Sequence, residues 1–186
     1  MAKITTVEKA LELVREDGLA LQYVPQKLKT AEVCLEAVKK DGRALYTVPE
    51  KLRTAELCLA AVKQYGRALR WVPENFRTQE LCLQAAKQNG CALKFMPWGQ
   101  LNLTVPAMVE MCLEAVKANG LALQYVPWEQ INLSVPAKVE LCLETVKQFG
   151  WAFKYVPEEL REEVRRGVEA SLVDHENRAD NHNLPC

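Results

Sequence analysis

Six glycines limit what this chain can fold into. Gly18, Gly42, Gly66, Gly90, Gly120 and Gly150 each stand seven residues ahead of a proline, and successive glycines are 24, 24, 24, 30 and 30 residues apart. Eight residues before each of the last five glycines is a cysteine: Cys34, Cys58, Cys82, Cys112 and Cys142. The first copy has Ala10 there. A glutamate always lies two residues before that position, and a lysine or arginine three residues before the glycine. Six copies in register are the mark of a tandem-repeat architecture.

Residues 54–73, TAELCLAAVKQYGRALRWVP, show what one copy contains. Thr54 suits a helix N-cap, because its hydroxyl can accept a first-turn amide. Glu56 and Lys63 then match the helix dipole at its two ends. Leu57, Cys58, Leu59, Ala61 and Val62 recur at helical spacing. Gly66 is expected to end the helix in the left-handed conformation that glycine tolerates. Ala68, Leu69 and Val72 fit the face of a second, shorter helix better than an alternating strand, and Pro73 closes it. Glu74 to Arg77 are expected to add one further turn.

A 24-residue copy cannot bury enough apolar surface to offset the ordering of its backbone. Neighbours must cover both sides of each copy, which makes the expected architecture an all-α solenoid of helix pairs. The copies run 6–25, 30–49, 54–73, 78–97, 104–127 and 134–157. Leu160, Val164, Val168 and Leu172 make one stripe of a C-terminal capping helix over 158–173, so 1–173 reads as one domain. Residues 174–186 lack apolar periodicity and are expected to be disordered. Ala10, with Lys9 and Glu12 beside it, suits an end copy with one face towards water.

The last two copies carry the same six-residue expansion, WGQLNLTVPA and WEQINLSVPA. Thr104 and Ser134 are expected N-caps, with Pro106 and Pro136 in the first helical turn, where proline is tolerated. Trp98 and Trp128 should share one edge of the array. They are candidate binding residues, because tryptophan is favoured at interface hot spots, although packing the insertion down would use it equally well.

Lys plus Arg and Asp plus Glu each number 24, giving a formal charge of zero. That balance argues against bulk nucleic acid or an anionic membrane as partner. No apolar run reaches membrane-spanning length, and residues 1–14 lack a signal-peptide core. Recurrent mid-helix cysteines read as small buried hydrophobes in a reducing compartment, either cytoplasm or host cytosol. No pair of cysteines has zinc-ligand spacing. The acidic and histidine side chains of the tail, Asp174, His175, Glu176, Asp180 and His182 with Cys186, match no metal motif, so neither metal nor cofactor is expected.

Two further patterns need weighing. An aromatic stands two residues before most of the prolines: Tyr23, Trp71, Phe95, Tyr125 and Tyr155, with Thr47 the exception. Bases cluster nearby: Lys29, Arg53 and Arg77 precede the caps, and Arg43, Arg67, Arg70, Lys94 and Lys154 follow the glycines. Arg43, Arg67, Arg70 and Lys94 are the candidate basic edge for single-stranded nucleic acid. Glu50, Glu74 and Glu158 interrupt it, and Ala107 and Ala137 replace its first position in the later copies. A solvated, ion-paired face and joint-covering aromatics are the expected reading.

Residues ELCLAAVKQYGRALRWVPENFR resemble a bacterial tandem-repeat domain of unknown function, also found in large viruses and some protists. Its signature is similar to E-L-C-L-x-A-V-K-x-x-G-x-A-L-x-Y-V-P-x-x-L-R. The resemblance covers roughly residues 6 to 161, and the 30-residue copies depart from the shorter form. It implies a repeat array, often in proteins that act on or inside a host, and carries no activity or functional residue. The expected function is a non-enzymatic protein-binding scaffold, monomeric or dimeric, with nucleic-acid binding along the basic edge as the alternative.

Overall fold

The threonine ahead of each early copy sets the backbone direction. Thr6, Thr30, Thr54 and Thr78 are extended, and each hydroxyl accepts the amide of the third helical residue. From them run α1 (Val7–Glu16), α2 (Ala31–Lys40), α3 (Ala55–Gln64) and α4 (Gln79–Gln88). A computed structural model describes residues 4–181, with side chains as far as residue 171. The two longer helices, α5 (Val105–Ala118) and α6 (Val135–Gln148), begin after Thr104 and Ser134 with proline in the first turn, as their spacing predicts. Neither cap hydroxyl makes the capping hydrogen bond.

From α1 to α5 each helix ends at an extended residue, and the glycine then opens a six-residue 3₁₀ helix, Gly66–Trp71 in the third copy. The second element is therefore 3₁₀, not α. Only six residues separate the extended cap from the extended valine before proline, too few for an α-helical ladder to gain cooperativity. Where the cap is Asp or Asn, its side chain holds the turn: Asp17, Asp41, Asn89 and Asn119 each accept the amide two residues on, at 2.9–3.0 Å. Three-residue 3₁₀ turns such as Glu74–Phe76 supply the further turn expected after proline.

Successive α-helices pack on one another, and successive 3₁₀ helices do the same, giving a two-layered solenoid with one continuous core. Leu21, Leu45, Leu69, Leu93 and Leu123 bring the 3₁₀ layer into that core, and the five repeat cysteines lie inside it without solvent exposure. Ala10 is also fully buried. The first copy instead turns Lys9 and Glu12 to water, and α1 packs on α2.

The glycines serve a purpose other than the expected one. None of the described glycines has a positive φ. A Cβ at Gly42 would fall on the carbonyl oxygen of Ala61 in the next copy, with the side chains of Gln64 and Tyr65 close behind. The same alanine carbonyl of the following copy blocks Gly18, Gly66 and Gly90. Glycine is thus the notch into which the neighbouring helix end fits. Among the described residues the two with positive φ are Asn102 and Asn132, one in each expansion, where asparagine tolerates the left-handed region better than most side chains.

The bases before the caps are internal fasteners, not a solvated face. Arg53 donates from Nε to its own copy's Val48 carbonyl at 3.1 Å and from a terminal nitrogen to the Trp71 carbonyl of the next copy at 2.8 Å. Arg77 repeats both bonds, to Val72 and Phe95. Lys29, with one ammonium, reaches only the next copy's Thr47 carbonyl at 3.1 Å. Arg53→Ala should cost about 2 kcal/mol, the range for losing charge-assisted bonds to partly buried carbonyls. Arg53→Lys should cost about half as much, since Lys29 shows that a lysine can keep the bond between copies. Urea unfolding of both variants measures the difference.

At the C-terminal end, α7 (Arg161–Asn181) packs on α6. Leu160 and Val164 are buried, and a Cβ at Gly167 would strike the Leu143 side chain. The helix continues well past residue 173, into the stretch expected to be disordered. Its sequence to Asn181 contains neither glycine nor proline after Gly167, so nothing in the backbone stops the helix. The side chains of the tail's metal-competent residues lie outside those described, as do residues 182–186.

Candidate functional site

The junction between α5 and α6 differs from every other. Early junctions are closed by the alanine carbonyl in the glycine notch, and the first and fourth add an ion pair between α-helices. Arg15 of α1 meets Glu36 of α2 at 3.5 Å, and Lys87 of α4 meets Glu114 of α5 at 4.0 Å. Both elements are lost at the fifth junction. Thr145 replaces the alanine and turns its hydroxyl inward to the Leu141 carbonyl at 2.8 Å, and Phe149 rather than a carbonyl sits against Gly120. Lys117 and Glu144 occupy the ion-pair positions, yet no bond joins them, and Lys117 turns to Glu114 on its own helix at 3.6 Å.

An open groove results, formed by two adjoining cavities of about 440 and 320 Å³. Val109, Leu113 and Leu133 line both cavities, with Leu133 supplied by the second expansion. Leu113 holds the repeat position next to the cysteine. Its counterpart Leu143 is covered by α7 at Gly167, whereas Leu113 faces the groove. Glu110 and Glu114 on α5, and Glu140 and Glu144 on α6, line the walls, with Lys117 the one base among the lining residues. Among the described residues Glu110, Glu140 and Glu144 form no ion pair. At the first turns of the two helices Val105 and Val135 are 39 % and 50 % exposed.

None of the candidate binding residues lines this groove. Trp98 and Trp128 are half-buried and packed against the core, in the role of holding their expansions down. Arg43 is tied to Asp41 at 2.6 Å, and these hydrogen bonds hold the Asp41 carboxyl below its usual range. Arg67 is exposed. Arg70 lies over Trp71 of its own copy, 5.3 Å from the ring centroid, and over Phe95 of the next at 5.6 Å. Lys94 reaches the next copy's Tyr125 ring at 5.9 Å, and the Tyr46 ring lies against Trp71 at 5.8 Å, tilted by 48°. One repeat position thus covers the aromatic of the following copy. The aromatics do cover the joints, although Tyr23 is 62 % exposed.

The groove left two traces in the sequence. The expansions lengthen α5 and α6 to 14 residues from the 10 of α1 to α4, exposing apolar first turns. Glutamates four apart, 110 with 114 and 140 with 144, share a helix face. Neither trace distinguishes a groove from an ordinary amphipathic helix without the missing ion pair.

Burial pushes the Cys34 and Cys58 thiols up to about 11, and those of Cys82, Cys112 and Cys142 up to about 12. Such thiols are poor nucleophiles near neutral pH. Among the described residues no cluster of three His, Cys, Asp or Glu could hold a metal ion, and no described helix is long and apolar enough to cross a membrane.

Fold and site together define a helical-repeat array with a single opened joint. Residues 7–53 and 55–99 match the model of a domain of unknown function, DUF4116, in two adjacent stretches that take in the first four copies. The two 30-residue copies, and with them the groove, lie outside the matched stretches. Neither the curated proteins nor the solved structures yield a match to the chain.

Proposed function

We propose that the chain is a non-enzymatic, protein-binding scaffold whose docking site is the groove between α5 and α6. The observation that carries this reading is an uncovered apolar floor, Val109–Leu113–Leu133, at one joint of a stack otherwise closed by the same fit at each early step. Apolar grooves between helices take the apolar face of a partner segment. The nucleic-acid reading has less support. Arg70 and Lys94 are engaged with rings of neighbouring copies, Arg43 with Asp41, and Arg53 and Arg77 with backbone carbonyls.

Panning a random peptide-display library against the full chain tests the proposal. Selected peptides should lose binding to Leu133→Arg, with the circular-dichroism spectrum unchanged. They should keep it against Arg70→Ala, on the opposite layer. Peptides that ignore Leu133 and need Arg70 instead would move the site to the 3₁₀ layer and defeat the proposal.

A further inference from the structure

We infer that the groove's occupant is a cationic amphipathic helix of a partner protein, an assignment that rests on the docking site proposed above. The rim carries Glu110, Glu114, Glu140 and Glu144 against Lys117, so the lining residues sum to −3 (four carboxylates, one ammonium) in a chain of zero net charge. Three of these carboxylates form no ion pair among the described residues. The fourth, Glu114, is the one that Lys117 and Lys87 share. Where this position is acidic in earlier copies, a base from the preceding copy pairs with it, as Arg15 does with Glu36 and Lys87 with Glu114; the third and fourth copies have Ala60 and Gln84 there. Glu144 is the acid at this position left without such a base among the described residues, so a base supplied from outside would complete the pairing.

The geometry selects a helix over an extended strand. Carboxylates stand one turn apart along each wall, at 110 and 114 and at 140 and 144, so the bases that meet them must recur with the same helical period. The floor between the walls is apolar along its length. A matching segment carries Leu-like residues at i, i+3 or i+4 and i+7, flanked on both sides by Lys or Arg. Such a segment cannot place bases on both walls and apolar residues on the floor as a strand, where side chains alternate between two faces.

Fluorescence anisotropy with three labelled peptides of about 18 residues, some five helical turns, tests the assignment on the full chain. The first is an amphipathic Leu/Lys helix, the second its Leu/Glu counterpart, and the third a scrambled Leu/Lys sequence without helical periodicity. The Leu/Lys helix should bind, and should weaken as salt rises from about 50 to about 300 mM. The other two should bind at least about 10-fold more weakly, a difference of about 1.4 kcal/mol. Glu110→Gln with Glu144→Gln should reduce Leu/Lys affinity by about 10-fold and flatten its salt dependence, while Glu50→Gln with Glu74→Gln, away from the groove, should do neither. Equal binding of the Leu/Glu peptide, or indifference to the groove glutamines, overturns the cationic assignment. Display-selected peptides that depend on Leu133 yet carry no net positive charge overturn it while leaving the docking site standing. Loss of every Leu133-dependent binder overturns both.

Discussion

Gly42→Ala will cost about 3 kcal/mol or more, while Gly150→Ala, the same change in the last copy, will be close to neutral. The substituted Cβ at 42 meets the Ala61 carbonyl oxygen, and that atom belongs to backbone that cannot rotate away. Relief requires the third copy to move off the second, which breaks close packing along the junction. At Gly150 nothing lies within 4 Å of the added carbon, and its φ does not call for glycine. Alanine there also narrows the unfolded ensemble, a gain of about 0.4–1 kcal/mol. Thermal and urea unfolding of the two variants separates a notch from a conformational requirement. Were glycine needed for its backbone freedom, both changes would harm alike.

Alkaline pH will unfold the chain steeply, and the repeat cysteines will drive it. An unfolded thiol ionises near pH 9.0, whereas the buried ones hold their protons to about 11 or 12. The folded state binds the proton more tightly, so each thiol contributes stability that is complete below about pH 9 and disappears as pH rises towards its folded value. In that window one thiol accounts for a slope of about 1.4 kcal/mol per pH unit, and five together for about 7. Total stabilities of domains are about 5–15 kcal/mol, so the loss is decisive within two pH units. Urea titrations under reducing conditions from about pH 8 to about pH 10.5 should show the fall. Cys58→Ala isolates the cause: whatever it does to stability at neutral pH, its slope should be shallower by about 1.4 kcal/mol per pH unit. An unchanged slope would show that the Cys58 thiol does not drive the alkaline transition.

What could be read from the amino acids follows from where each interaction closes. Thr54 caps a helix three residues away, and Leu57, Cys58, Ala61 and Val62 share one helical face, so period and propensity reveal them. The repeat itself, the all-helical class and the capping of α6 by Leu160 and Val164 were legible for that reason. The glycines were seen, but their purpose was not, because Gly42 is shaped by a carbonyl 19 residues further on. Arg53 looked like a surface base because its second acceptor lies 18 residues away, in the next copy. The groove was hidden more deeply. Lys117 and Glu144 hold the positions that Lys87 and Glu114 pair across one joint earlier, and only their separation in space marks the opening. The tryptophans drew attention by size, and size is what holds them against the core.

The notch also gives the array a polarity. Each early copy offers a gap and receives a carbonyl from the copy after it, so its two ends are chemically unlike. Gly150 offers the same gap and nothing fills it, because α7 engages α6 through Gly167 and Leu143 instead. Duplicating an internal 24-residue copy would preserve every fit on both sides, whereas a copy appended beyond α7 would find no matching surface. Gene duplication can therefore lengthen such a chain from within while its C-terminal closure stays the same, and the one loosened joint keeps its place beside that closure however many copies precede it.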